Sequence, residues 1–328
     1  MGLQMRKLAE AGSIARGWMR RSAAALPIMV LSGGLLWAGV PADDPDCEAR
    51  LEAAVEAIAT HPKVKTWSRE KLKSTTEFAV GNMLFVLLHE MGHGLISDLG
   101  LPVLGREEDA ADAFATVTML GMKTEFTHRT LVNAAKSWLI SDRRAREERK
   151  TVVYYDVHAL DLQRAYGIIC LMVGSDGERF EDLANEVNLP DERQATCAFD
   201  YSNASWSWEQ ALKPHLRAPE QQRTTYQIVY GKAEGELDIV EQVFRATGIM
   251  ERVADRLVDL YAWKKPFTIE AQTCGGSGAK WVGPDHKISL CYELAEEFVQ
   301  LFKTYGAEPL ARLSPPAGDQ SGAPMGFR

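Results

Sequence analysis

The sequence predicts an α+β fold, mostly helical with a small antiparallel sheet late in the chain. Apolar residues at helical spacing dominate residues 76–212, and the character shifts after Pro219. Short alternating runs bounded by Gly, Pro and Asp then occur between residues 224 and 291. Composition agrees, because 46% of the 328 residues are hydrophobic and 25% charged, enough apolar material for one large core or two small ones.

The first 42 residues stand apart from this pattern. Arg6, Lys7, Arg16, Arg20 and Arg21 precede an apolar run from Ala23 to Val40, which ends in Val40-Pro41-Ala42. That is the layout of a secretory signal peptide. An uncleaved N-terminal membrane anchor is the other reading, since about 18 apolar residues just span a bilayer, although Pro27, Gly33 and Gly34 weaken that helix. The expected organisation is a signal peptide or anchor over 1–42, one folded domain over 43–313, and a flexible Pro- and Gly-rich tail over 314–328. Export makes the domain periplasmic or secreted, and membrane contact arises only if the N-terminal segment is uncleaved.

The elements follow in order. Residues 43–73 read as polar with short helical pieces, and residues 76–99 as one long helix closed by Gly100. After a short connection, residues 106–120 form a second helix with small residues on one face. Further helices are expected over 128–142, 157–173, 177–187 and 190–212, with a charged, solvated loop over 142–150. Residues 224–230 form a short β-type run, and 236–262 are helical with a break near Gly248. Strands are expected over 267–274, 280–282 and 287–291, the last two joined through Gly283-Pro284-Asp285, before a closing helix over 292–305.

Charge and cysteine content narrow the function classes. The net charge is -8, and loss of residues 1–42 removes more basic than acidic groups, which argues against nucleic acid as a partner. Five cysteines in an exported chain suggest disulfides, and spacing offers Cys274 with Cys291 and Cys170 with Cys197, leaving Cys47 outside both pairs.

The long helix carries His89-Glu90-Met91-Gly92-His93. Residues four apart on a helix share a face with Cβ atoms roughly 6 Å apart, so His89 and His93 can place two imidazole nitrogens on one zinc ion. Glu90 lies beside that ion, where a carboxylate can take a proton from zinc-bound water and pass it to a leaving amine. The run Met83-Leu84-Phe85-Val86-Leu87-Leu88 makes this a buried helix, and buried polar groups must be satisfied. Gly92 and Gly94 each cost about 1 kcal/mol of helix propensity, tolerable where another backbone approaches closely.

A catalytic zinc wants a third protein ligand. Glu107-Glu108-Asp109-Ala110-Ala111-Asp112 opens the next helix, and Glu108 shares a face with Ala111, Asp112 and Ala115. Glu108 is the expected ligand, with Glu107 or Asp109 as alternatives. Asp112, one turn on, can take the second ring N–H of a ligand histidine and fix its tautomer. The rest of the acidic run suits a helix N-terminus.

His89-Glu90-x-x-His93 followed by Glu108-x-x-Ala111-Asp112 resembles the glutamate-zincin pattern of thermolysin-like and related membrane-protease families. More closely, the stretch from Gly81-Asn82 to Phe114-Ala115 resembles a bacterial family of putative metallopeptidases with a domain of unknown function. The likeness continues through Tyr154-Tyr155-Asp156-x-His158, Gln163-Arg164-Ala165-Tyr166, Cys170, Cys197 and the Cys-Gly to Cys-Tyr-Glu-Leu segment. The resemblance implies a zincin-like domain. One departure is Ser277-Gly278-Ala279, where the family pattern leads to expect Asn before the Ala.

His158 lies where a helix is expected to begin with Asp156 as cap, and zincins of this kind often supply a His or Tyr that stabilises the oxyanion. His158 is the first choice for that role and Tyr155 the second, with a plain capping turn as the alternative. His61, His128, His215 and His286 have no partner pattern and read as surface or packing residues. Strand 267–274 with 288–291 returning beside it could lie along the cleft and hold an extended peptide. A disulfide-stapled structural hairpin is the alternative. The expected function is therefore an exported zinc-dependent peptidase acting on a peptide or protein substrate. The alternative is a non-catalytic zinc-stabilised module that binds a peptide or envelope protein.

Overall fold

The computed structural model describes residues 45–315. Among these are eleven α-helices and one four-stranded sheet late in the chain. The expected signal peptide or anchor and all but the first two residues of the expected tail lie outside the described residues. Ser314 is buried and Asn188 Nδ2 donates to the Pro315 carbonyl at 3.4 Å, so the chain is still packed at 314–315.

Helix α1 (Pro45–Ile58) is continuous where short pieces were expected. Leu51, Ala54, Val55 and Ile58 recur at helical spacing and are all buried, so burial of one face sustains a helix whose sequence looks polar. Helix α2 (Arg69–Leu99) runs through the centre. The Ser68 side chain caps it by accepting the Lys71 N–H, and Gly100, with φ of +73°, closes it with its N–H on the Ile96 carbonyl. By length and composition α2 is apolar enough to cross a membrane, but most of its apolar window is buried inside the fold.

Around α2 pack α1, α3 (Glu107–Met122), α4 (Glu125–Glu147), α9 (Ile249–Leu260), α10 (Tyr292–Tyr305) and part of the sheet. Beyond α3 and α4 lie α5 (Asp161–Ser175), α6 (Gly177–Glu186) and α7 (Asp191–Leu212). The Cys170–Cys197 disulfide joins α5 to α7. Trp208 Nε1 donates to the Ala110 carbonyl at 3.1 Å and ties α7 to α3.

Helix α2 begins at Arg69 rather than at 76, and α4 and α5 also differ from expectation. The charged stretch after Asp142 continues α4 to Glu147, because Arg146 pairs with Asp142, and Arg143 with Glu147, one turn apart. Helix α5 begins at Asp161, so the segment around His158 is a connection without regular structure. Asp156 accepts the His158 N–H at 2.9 Å as a local turn rather than as a helix cap.

The sheet comprises β1 (Tyr226–Tyr230), β2 (Phe267–Gln272), β3 (Ala279–Val282) and β4 (Lys287–Cys291), in the order β1-β2-β4-β3. It is mixed: β1 and β4 run parallel to β2, and only β3 is antiparallel to its neighbour β4. Strand β4 therefore does not return antiparallel to β2. The helices α8 (Asp238–Thr247) and α9 form the crossover from β1 that parallel neighbours require. The turn from β3 to β4 ends at His286 with φ of +45°. The Cys274–Cys291 disulfide clasps the ends of β2 and β4.

Candidate metal centre

His89 and His93 lie one turn apart on α2, with their Nε2 atoms 3.2 Å from each other. Helix α3 can approach this turn because Gly92 faces it; a Cβ there would sit 3.3 Å from Ala111 Cα and 3.4 Å from the Phe114 ring. Ala111 and Ala115 are fully buried at the contact. The close crossing brings Glu108 Oε2 to 3.1 Å from His89 Nε2 and 3.4 Å from His93 Nε2.

The outer nitrogens are held as well. His89 Nδ1 lies 2.8 Å from Asp112 Oδ1, and His93 Nδ1 lies 2.7 Å from Glu107 Oε1. Arg164 donates to both oxygens of Asp112, from Nε at 2.7 Å and Nη2 at 2.6 Å, and its guanidinium stacks 3.8 Å from the Trp138 ring centroid. The ring orientation of His89 is thus set by a continuous chain through Asp112, Arg164 and Trp138. Asp109, the other alternative ligand, instead accepts from Arg106 at 3.0 Å.

His158 reaches the same place from its connection, with Nε2 3.0 Å from Glu108 Oε2 and Nδ1 3.2 Å from Asp156 Oδ1. Glu90 is buried, and the Trp281 backbone N–H faces its carboxylate and favours the charged form. The rings of Trp263 and Trp281 rest on Gly94, where a Cβ would meet both at 3.2 Å. One further turn along α2, Asp98 Oδ2 accepts the Lys264 N–H at 2.6 Å and Asp98 Oδ1 lies 3.6 Å from His286 Nδ1. Glu90 and Gly94 therefore meet the edge strand β3 at Trp281, and Asp98, four residues on, meets Lys264 and the β3–β4 turn at His286.

Electrostatics follow from burial and these bonds. Burial pulls the His89 imidazole down, but its hydrogen bonds to Asp112 and Glu108 outweigh that and lift it to about 9. His93 is raised in the same contest, by Glu108 and Glu107 against burial. Hydrogen bonds from His158, then His89 and His93, hold Glu108 far below the usual carboxylate range. Burial raises the Glu90 carboxyl, against the pull of the two histidines.

The donor set can be tested against a metal. His89, His93 and Glu108 each offer a ligand atom, all within 4.8 Å of one another, and could hold an ion. Two ligands about 2.0–2.1 Å from a tetrahedral zinc sit roughly 3.4 Å apart, and the spacings here are 3.1 to 3.4 Å. Two imidazoles and a carboxylate suit a divalent first-row transition ion. Two clefts flank Glu90 and His158, one of about 590 Å³ walled by Phe85, Trp138, Leu294 and Phe298, the other of about 720 Å³ bordered by Tyr155, Lys280 and Trp281.

Reasoning from sequence missed three groups that hold the site. Glu107 partners His93, a role its place among the alternatives did not suggest. Arg164 stood inside a quoted motif, but no spacing connects it to Asp112, 52 positions away. Trp281 has no sequence signal, because its contribution is a backbone N–H. The strand beside the site is β3 rather than 267–274, since β2 lies inside the sheet.

A family model described as "Putative metallopeptidase" matches residues 47–212 and 231–314, which include every residue of the site. No curated protein and no solved structure matches the chain significantly. The match spans most of the described fold, from α1 through the last strand and α10. The chain belongs to this family of putative metallopeptidases.

Proposed function

We propose that the chain is an exported zinc-dependent peptidase of glutamate-zincin type, with His89, His93 and Glu108 holding the ion and Asp112 fixing the His89 tautomer. The observation that carries this reading is the convergence of three ligand atoms beside a buried, unligated carboxylate, Glu90. When bound, zinc polarises the scissile carbonyl and acidifies the attacking water. Glu90 takes the proton from that water and delivers it to the leaving amine. Burial raises its carboxyl, the direction wanted in a base that must later act as an acid. Trp281 aims it through the backbone N–H.

His158 leaves Glu108 and donates from Nε2 to the oxyanion as it forms, with Tyr155 at the cleft rim behind it. The substrate lies extended along β3, whose one side is paired to β4 while the other faces the cleft. Export is supported by two disulfides, which suit an oxidising compartment.

The test compares the full-length protein with Glu90→Gln by elemental analysis and by cleavage of a peptide library. Zinc should remain in the variant, and cleavage should fall by about 10²–10⁴-fold. Undiminished cleavage sinks the mechanism. Zinc in both proteins with cleavage in neither favours the non-catalytic binding module.

A further inference from the structure

We propose a second ligand site, on the side of α2 away from the histidines, that binds a single-chain carboxylate amphiphile. A cavity of about 370 Å³ lies between α1, α2, α3, α4 and α9, walled by Leu51, Leu84, Leu88, Phe126, Ile249 and Val253 among others. Two polar side chains that line it carry buried atoms without a hydrogen-bond partner. Arg256 Nε and Nη2 are closed off from solvent without a hydrogen-bond acceptor, and Thr118 Oγ1, on a residue 1% exposed, is likewise unsatisfied. No ion pair is found for Arg256 among the described residues, although Asp259 lies near enough to attract it, and the carboxylates nearest in sequence are bonded elsewhere. Arg223 holds Asp255 at 2.8 Å and Asp259 at 2.9 Å. Arg50, also on the cavity wall, is bonded to Asp46.

A half-buried guanidinium without an acceptor is costly, and an anion placed against it removes that cost. The hydroxyl of Thr118 supplies a second donor from the facing helix α3. Most of the remaining lining is apolar, with Arg50, Arg252, Thr127 and Thr247 at its polar places, and the apolar part asks for a hydrocarbon body behind the charged head. Asp255 and Asp259 also border the cavity and, although both are held by Arg223, repel a doubly charged head more than a singly charged one. A medium-chain monocarboxylate meets all of these conditions. The proposal is independent of the reaction at the metal centre.

Calorimetric titration of decanoate into the full-length protein tests it, with decanol and decyl phosphate as comparisons. One saturable site is expected, binding decanoate about tenfold or more tightly than decanol and more tightly than decyl phosphate. Arg256→Met should reduce decanoate to the level of decanol, Arg256→Lys should restore part of the preference, and Leu84→Trp should fill the cavity and abolish both. Without ligand, Arg256→Met should melt at the wild-type temperature or above, since an apolar isostere replaces an unpaired charge. Absence of saturable decanoate binding, equal affinity for decanoate and decanol, indifference to Arg256→Met, or a clear drop in that variant's melting temperature would each overturn the assignment.

Discussion

On one face of α2, His89, Glu90 and His93 each have a protein partner, whereas the cavity against its other face contains two buried nitrogens of Arg256 and a Thr118 hydroxyl that have none. Both faces bury polar groups beside the same apolar helix. The first does so with three elements, α3, the connection bearing His158, and β3, each contributing a complementary group. A site so fully cross-bonded is oriented before any ion or substrate arrives, which is the condition for tight metal binding. On the second face the balancing group is missing from the described residues, and the deficit itself specifies what would fit there.

Removal of one ligand is the harshest test of the first face. His93→Ala should abolish stoichiometric zinc, measured by elemental analysis after dialysis against a weak chelator, and retention of near-stoichiometric zinc would contradict the ligand set. Asp112→Asn sharpens the comparison, because it spares the ligands and weakens only what orients His89. Zinc affinity should fall by about 10–100-fold in competition with a chromophoric chelator. An unchanged affinity would mean that Asp112 and Arg164 serve packing alone.

Acid should act directly on the first face. Protons compete with the ion for His89 and His93, so zinc affinity should drop as pH falls and the release of zinc should track protonation of the imidazoles. Zinc retained unchanged at a pH where free histidine is fully protonated would break the assignment. A smaller effect is expected at the crossing of α2 and α3. Gly92→Leu must displace the Ala111 backbone, 3.3 Å from the glycine's virtual Cβ, and should cost about 1–3 kcal/mol in denaturant melts. The smallest effect belongs to the far side of the helix, where Arg256→Met should leave zinc content untouched.

Much of the first face was legible in the sequence because it is local. Two histidines four apart on a helix share a face whatever surrounds them, and the Glu-x-x-Ala-Asp run gives the next helix one carboxylate-bearing face with small residues beside it. The long helix, the break at Gly248 and the closing helix were legible for the same reason. The direction of β4 was not, since alternation reports which residues face the core and is silent on whether the neighbour runs parallel or antiparallel. Nor was the extension of α4, because its charged residues read as solvated until their pairing one turn apart is seen.

The sequence by itself determined that two imidazoles and a glutamate stand on one buried helix and that an acidic helix follows within reach. Tertiary structure alone decided that Glu107 turns to His93 while Glu108 turns inward. It also decided that Arg164 braces Asp112 and that a backbone N–H of β3 aims Glu90. The physical reason is range: helical periodicity fixes neighbours three and four residues apart, but contacts across tens or hundreds of residues depend on how the helices and the sheet close over a shared core. Arg256 marks the same boundary from the other side, since a lone arginine in a sequence carries no sign that its fold will bury it unpaired.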